Sequence, residues 1–289
     1  MIRLIANGLV VLFVSSGTAA MLIDRPALAA DDAVVQADRA LVQALEKDDQ
    51  AAANRLLDPD FTWIDTDGIL WFKEDAFQAG LKPLVTSGDD VRVVEHKYGK
   101  VVWIQENQGN KYAAHFWVER PSGWRLLHTN EIETRPKEEE VGARPDFAIP
   151  CENPCKEVPF KMLTPNEQAA MAAWQEQESG VPEQWYRHVP DDNITITSYG
   201  PLTKQDRWTG IQKREQSHAP KVGVSPVLWG RLWDFDGSVV MIMCQPDWGR
   251  KAYWSSRVYA KNKDGLWQMM ESYHTTIQAS PILTGVPQK

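Results

Sequence analysis

The sequence predicts an α+β protein made of two units on one plan, and three observations carry that expectation. Each half opens with segments of helical period and closes with four segments of alternating period, separated by Gly, Asn and Pro turn residues. The same order of elements returns after about 135 residues. Between the halves, residues 136–162 hold five prolines and the acidic run Glu138–Glu140, and read as an extended linker.

Composition fits this outline. A chain of 289 residues is long enough for two cores without disulfide stapling. With 43% hydrophobic and 24% charged residues it belongs with globular proteins, not disordered ones. A formal charge of −8 speaks against a nucleic-acid partner, since that affinity rests on Lys and Arg neutralising phosphates. Thirteen tryptophans call for large cores or an aromatic-lined site.

In chain order, Arg3, the apolar run Gly8–Val14 and Ala27-Leu28-Ala29 give the pattern of a signal peptide over residues 1–29. Interruptions at Asn7 and Ser15–Thr18 leave the apolar zone short of the roughly 20 residues of a membrane span. The expectation is cleavage and a periplasmic or secreted protein with no membrane span after processing. Residues 30–135 form the first predicted domain. Val34, Val35, Leu41, Ala44 and Leu45 make a helical stripe, and a short helix runs from Gln50 to Leu57. A strand over Phe61–Ile64, a turn at Asp65–Gly68 and a helix over Lys73–Leu81 come next. Strands are predicted over Val91–Tyr98, Val101–Glu106, Lys111–Arg120 and Trp124–Glu133.

The second domain, residues 163–280, opens on Thr164-Pro165-Asn166-Glu167, a capping box with Pro at the first helical position. Helices over Pro182–His188 and from Thr203 to Ile211 bracket a strand at Ile194–Tyr199. Strands over Val224–Trp233, Ser238–Gln245, Arg250–Ala260 and Leu266–Ile277 close the unit, with a tail at 281–289. In an oxidising compartment Cys151 and Cys155 are spaced to close a small disulfide loop, and Cys244, in an apolar run, reads as a buried thiol.

In the first unit, Ala44-Leu45-Glu46-Lys47-Asp48-Asp49, Leu57-Asp58-Pro59-Asp60-Phe61, Asp67-Gly68 before a helix and the closing Gly123-Trp124-Arg125-Leu126 resemble the SnoaL-like branch of the nuclear transport factor 2-like superfamily. The second unit resembles it more loosely, through element order and Asp264-Gly265-x-Trp267. The resemblance implies two cone-shaped, cystatin-like domains in tandem, each with three helices packed on a curved antiparallel sheet around an apolar pocket. It also implies an intramolecular pseudo-dimer, with homo-oligomers among the alternatives. It specifies no reaction, because family members include lyases, isomerases and dehydratases as well as proteins that only bind.

Candidate site residues follow from strand parity. If Ala260 pairs with Leu266, Trp267, Met269, Glu271 and Tyr273 face Tyr259, Arg257, Ser255 and Tyr253. Glu271 is then an acid or base, Arg257 an anion holder, and Tyr253 and Tyr273 hydrogen-bond donors. The same construction in the first unit puts Trp124, Leu126, His128, Asn130 and Ile132 opposite Arg120, Val118, Phe116, Ala114 and Tyr112. His128 is a candidate base there, with Asn130 and Tyr112 as ligand contacts. Trp174, Trp185, Trp208, Trp267 and Tyr259 are expected to line an aromatic mouth in the second cone. No metal is expected, for want of ligand spacing, and no cofactor, for want of a P-loop, a G-x-S-x-G elbow or a dinucleotide fingerprint.

Three readings stand side by side. One is an exported protein binding a small aromatic or cyclic molecule in the second cone, with cofactor-independent lyase, isomerase or dehydratase chemistry. Another is a non-catalytic binding or protein-interaction module with a structural first domain. The third is an assembly or envelope role in which the pockets are vestigial.

Overall fold

The computed structural model describes residues 32–88, 90–136, 158–217, 227–245 and 251–278. The expectations for residues 1–29, most of the linker, Cys151, Cys155, Trp248 and the tail lie outside them. No helix among the described residues is long and apolar enough to cross a membrane.

The first unit runs α1 (Asp32–Glu46), α2 (Gln50–Leu56), β1 (Leu57–Ile64), β2 (Leu70–Phe72), α3 (Lys73–Ala76), β3 (Arg92–Tyr98), β4 (Val101–Gln108), β5 (Lys111–Arg120) and β6 (Gly123–Glu133). The second runs α4 (Pro165–Gln177), α5 (Pro182–His188), β7 (Ile194–Thr197), β8 (Gly200–Thr203), α6 (Lys204–Gln216), β9 (Trp229–Asp234), β10 (Ser238–Gln245), β11 (Tyr253–Lys261) and β12 (Trp267–Thr276). The strand orders β2-β1-β6-β5-β4-β3 and β8-β7-β12-β11-β10-β9 are the same order twice. This is an α+β, two-unit architecture.

Three details depart from expectation. Each sheet has six strands, because Leu70–Phe72 folds back on Thr62–Ile64 and Gly200–Thr203 on Ile194–Thr197. The sheets are mixed, since β1 lies parallel to β6 and β7 parallel to β12. Helix α3 stops at Ala76 rather than Leu81. Gly80, at φ +87, turns the chain while the Gly80 and Leu81 amides bond back to the Phe77 and Ala76 carbonyls. The starts of α2, α4 and α6 are capped by side chains. Asp49 accepts from the Ala52 amide at 2.9 Å, and Thr164 and Glu167 form the reciprocal box.

Helices cover one face of each sheet. In the first unit Val34, Leu41, Phe61, Trp63, Ile104 and Trp117 share a core beneath α1 and α2. In the second, Met171, Trp174, Trp185, Met241, Tyr259 and Met269 do so beneath α4 and α5. The other faces of the two sheets pack on each other. One apolar cluster joins Ile64, Trp103, Phe116 and Ile132 of the first unit to Trp233, Ile242, Trp254 and Tyr273 of the second. Strand β10 shows why Val239–Cys244 reads as an unbroken apolar run. Val239, Met241 and Met243 face the helices, while Val240, Ile242 and Cys244 face the first unit. Cys244 is the buried free thiol expected, its pKa pushed up to about 12 by burial.

The seam between the units is reciprocal. The Gln278 amide donates to the Asp67 carbonyl in the β1–β2 turn, and the Arg135 amide donates to the Ser198 carbonyl in the β7–β8 turn. These are matching contacts, as across a two-fold axis. Trp254 Nε1 adds a bond to the Gly68 carbonyl at 2.9 Å.

Candidate functional site

The last strand of each unit carries a β-bulge, and the bulges decide where every candidate residue goes. In the β5–β6 ladder Phe116 pairs with His128 but Trp117 with Leu126, so Leu127 is the extra residue. In the β11–β12 ladder Val258 pairs with Glu271 but Tyr259 with Met269, so Met270 is the extra one. An extra residue reverses side-chain parity beyond it.

The single face expected for β12 is therefore split. Trp267 and Met269 point under the helices, while Tyr273 and Glu271 turn to the seam. Arg257 pairs with Ser272, Glu271 with Val258 and Tyr273 with Ser256, in place of the expected partners. Glu271 and Arg257 consequently stand on opposite faces, and the proposed grouping of Glu271, Arg257, Tyr273 and Tyr253 does not assemble. In the first unit the pairs Phe116–His128, Ala114–Asn130 and Tyr112–Ile132 are as expected. Trp124 instead faces Glu119, and Leu126 faces Trp117.

Of the residues sent to the seam, Glu271, His128 and Asn130 are hydrogen-bonded there, while the buried Tyr273 hydroxyl has no partner among the described residues. Glu271 Oε1 accepts from His96 Nδ1 at 2.5 Å and from the Tyr98 hydroxyl, both on β3. Burial raises its pKa, against the pull of those two partners. His128 Nδ1 lies 2.9 Å from the Thr62 hydroxyl and 3.2 Å from the Thr62 carbonyl, and Nε2 lies 2.8 Å from the Ser256 hydroxyl. Burial pushes His128 down to about 3, so the ring is neutral. Asn130 Nδ2 donates to Ser256 Oγ at 2.7 Å, while its carbonyl accepts from Thr275 Oγ1. Tyr112 packs against the same cluster. The expected aromatic excess of the second repeat divides likewise. Trp229, Trp233 and Trp254 belong to the seam, and Trp174, Trp185, Trp208 and Trp267 to the helix-covered side.

What remains beneath the helices is a pair of buried polar clusters of opposite sign, one chamber-like group of side chains in each unit. By ladder position His115, between Ile104 and Thr129, matches Arg257, between Met241 and Ser272. Glu131 likewise matches His274, each two residues further along the last strand. In the first chamber Asp38 Oδ1 accepts from His115 Nδ1 and from Trp117 Nε1, both at 2.7 Å. Glu131 accepts from Trp63 Nε1 at 2.9 Å, and burial raises it to about 7. Burial opposes a charge on His115, but the charge and hydrogen bond of Asp38, with Glu106 and Glu131, raise it to about 9. Three buried carboxylates thus surround one imidazolium.

The second chamber is cationic. Arg257 is 1% exposed, and its Nε and Nη1 donate to nothing among the described residues. Its Nη2 lies 3.4 Å from His274 Nε2 and 3.8 Å from the Glu178 carboxylate. His274 is held neutral by burial, with Arg257 and Arg207 adding to the effect. Ser272 Oγ lies 3.1 Å from its Nε2. Tyr259 donates to Gln177 Oε1 at 2.9 Å. Trp185 stacks on Trp208 with centroids 6.4 Å apart, and the Arg207 guanidinium lies over the Trp185 ring at 5.5 Å. The indole N–H groups of Trp174 and Trp185 are also buried without acceptors among the described residues. The chamber therefore has a surplus of donors and of positive charge beside an aromatic wall.

The sequence singles out none of Asp38, Glu106 and His274, and it raises His115, beside His128 and Glu131, only for a four-residue turn between β5 and β6, a pairing the structure does not adopt. They lie on separate elements with no local spacing, and only the bulge at Leu127 or Met270 brings Glu131 and His274 to this side. Arg257, Tyr259, Trp174, Trp185, Trp208 and Trp267 were named from the sequence, and the structure brings them to one side of the sheet.

No family model and no curated protein matches the chain. Among solved structures it is similar to a cystatin-like-fold protein of unknown function from Nostoc punctiforme, at 13% identity and a TM-score of 0.33, covering 43% of this chain and 100% of that one. It is also similar to a nuclear transport factor 2-like protein from Cytophaga hutchinsonii, at 16% identity and a TM-score of 0.30, covering 39% and 93%. A nuclear transport factor 2-like protein of unknown function from Pseudomonas putida is similar at 12% identity and a TM-score of 0.29, covering 38% and 92%.

Proposed function

We propose that this is an exported binding protein, a tandem of SnoaL-like domains, whose second chamber takes a small anion with an aromatic or cyclic body. The observation that carries the ligand class is Arg257, a guanidinium 1% exposed with two donor groups unpartnered among the described residues. A buried charge without full hydrogen bonding is costly to keep. A carboxylate or similar oxyanion supplies the acceptors and the countercharge together. Trp185 and Trp208 offer a stacking surface for the rest of the molecule. Export rests on the pattern in residues 1–29, and the family on the motifs of the first unit.

Binding is favoured over acid–base turnover because Glu271 is bonded to His96 and Tyr98 on the far face. The test is a titration of the full chain followed by tryptophan fluorescence, with benzoate and indole-3-acetate against the neutral benzamide. Saturable quenching by the acids, weak quenching by the amide and at least a tenfold loss in Arg257→Met is the expected pattern, since a charge-assisted bond contributes about 1.5–3 kcal/mol. Equal response to acid and amide, or an unaltered response in the variant, overturns the reading.

A further inference from the structure

The first chamber holds a set of donors that the anion-binding reading does not use. Asp38 on α1, Glu106 on β4 and His115 on β5 each present a ligand atom, and these atoms all lie within 4.8 Å of one another. Two donors on opposite sides of one ion, each about 2.1 Å from it, stand about 4.2 Å apart. The set is thus within a small side-chain adjustment of a coordination sphere. All three residues are buried, at 4%, 9% and 7% exposure.

A second observation separates this from an ordinary acidic cluster. Glu106, 9% exposed as a residue, accepts no hydrogen bond among the described residues, yet one of its carboxylate oxygens lies within 4.8 Å of the ligand atoms of Asp38 and His115. Burying a carboxylate with no donor is unfavourable unless it is neutralised. The surroundings add to the demand for positive charge. Glu131 is buried in the same chamber, and among the described residues His115 carries the positive charge beside Asp38, Glu106 and Glu131. Asp38 is oriented by Trp117 Nε1 at 2.7 Å, the kind of outer hydrogen bond that fixes a ligating carboxylate.

We propose that Asp38, Glu106 and His115 form a divalent-metal site in the first chamber, independent of the anion site in the second. One imidazole and two carboxylates suit zinc or manganese better than calcium or magnesium, which favour all-oxygen shells. Three protein ligands leave further positions on the ion for water or another molecule.

The test uses the full chain, freed of metal with a chelator and titrated calorimetrically with zinc chloride and with manganese chloride. The expected result is one equivalent bound per chain, a raised unfolding midpoint with metal, and markedly weaker binding of magnesium. Glu106→Gln, at a side chain that bonds nothing and keeps its shape, should weaken binding at least tenfold while circular dichroism stays unchanged. Arg257→Met, in the other chamber, should leave metal binding as it is. Absence of binding to the unaltered chain, or binding that survives both Glu106→Gln and Asp38→Asn, overturns the site.

Discussion

Ser256 in the second unit donates its hydroxyl to Nε2 of His128 in the first, at 2.8 Å, deep in the seam between the sheets. The same oxygen accepts from Asn130, whose carbonyl accepts from Thr275, while the other side of the His128 ring donates to Thr62. A polar chain thus crosses the interface beside its apolar cluster, with its members satisfied. Ser256→Ala leaves His128 Nε2 and an Asn130 N–H buried without partners. At about 1–3 kcal/mol per stranded group, the loss should be roughly 2–6 kcal/mol in urea unfolding at pH 7. A change below about 0.5 kcal/mol would show that water replaces the hydroxyl.

The same histidine predicts an acid limb. Its folded pKa, near 3, lies below the ordinary 6.5 because burial disfavours the charged ring. The contribution is therefore complete above about pH 6.5 and is lost as pH falls towards 3, where the unfolded chain takes up the proton. His128→Gln should flatten the dependence of unfolding free energy on pH between about 6.5 and 3, whatever it does to stability at pH 7. An unaltered slope would place the acid sensitivity elsewhere.

Arg257→Met should separate binding from folding. Removing a buried, incompletely bonded guanidinium and filling its volume with an apolar chain is expected to raise stability by roughly 1–3 kcal/mol. The variant should resist urea better than the parent while losing its response to benzoate. A less stable variant would mean that Glu178, 3.8 Å away, pairs with Arg257 more strongly than its distance suggests.

Gly68 tests how tightly the units are joined. A Cβ there would lie 2.7 Å from Ile277 Cα and 2.8 Å from the Thr276 carbonyl, and φ is +74, where L-residues are strained. Gly68→Ala should cost more than about 2 kcal/mol. Because one apolar cluster spans both units, calorimetry should show a single unfolding transition in parent and variant. Two resolved transitions would mean that the units fold separately.

Much of this was legible in the chain. Alternation and turn residues marked the long strands, Thr164 to Glu167 fixed a helix start, and Asp67-Gly68 marked a turn that proves to be a contact between units. The aromatic residues of α4, α5 and α6 share one side of the second sheet with Trp267 and Tyr259, with which the sequence groups them. Period-two parity could not foresee that Leu127 and Met270 each stand outside the count, since nothing local distinguishes a bulged residue from its neighbours. Every strand candidate beyond those two points parts from the earlier residues of its strand with which parity groups it. The tryptophans misled for a related reason, because a seam between two sheets asks for the same large apolar side chains as a pocket does.

The two bulges make length more consequential than identity in this protein. Deleting Met270 alone would alter no other side chain, yet it would swing Glu271, Tyr273 and Thr275 from the contact between the units into the cationic chamber. It would drive Ser272 and His274 the other way. A single-codon loss there exchanges the side chains that face the neighbouring unit for those that face the helices, a change that no single substitution in the strand can produce.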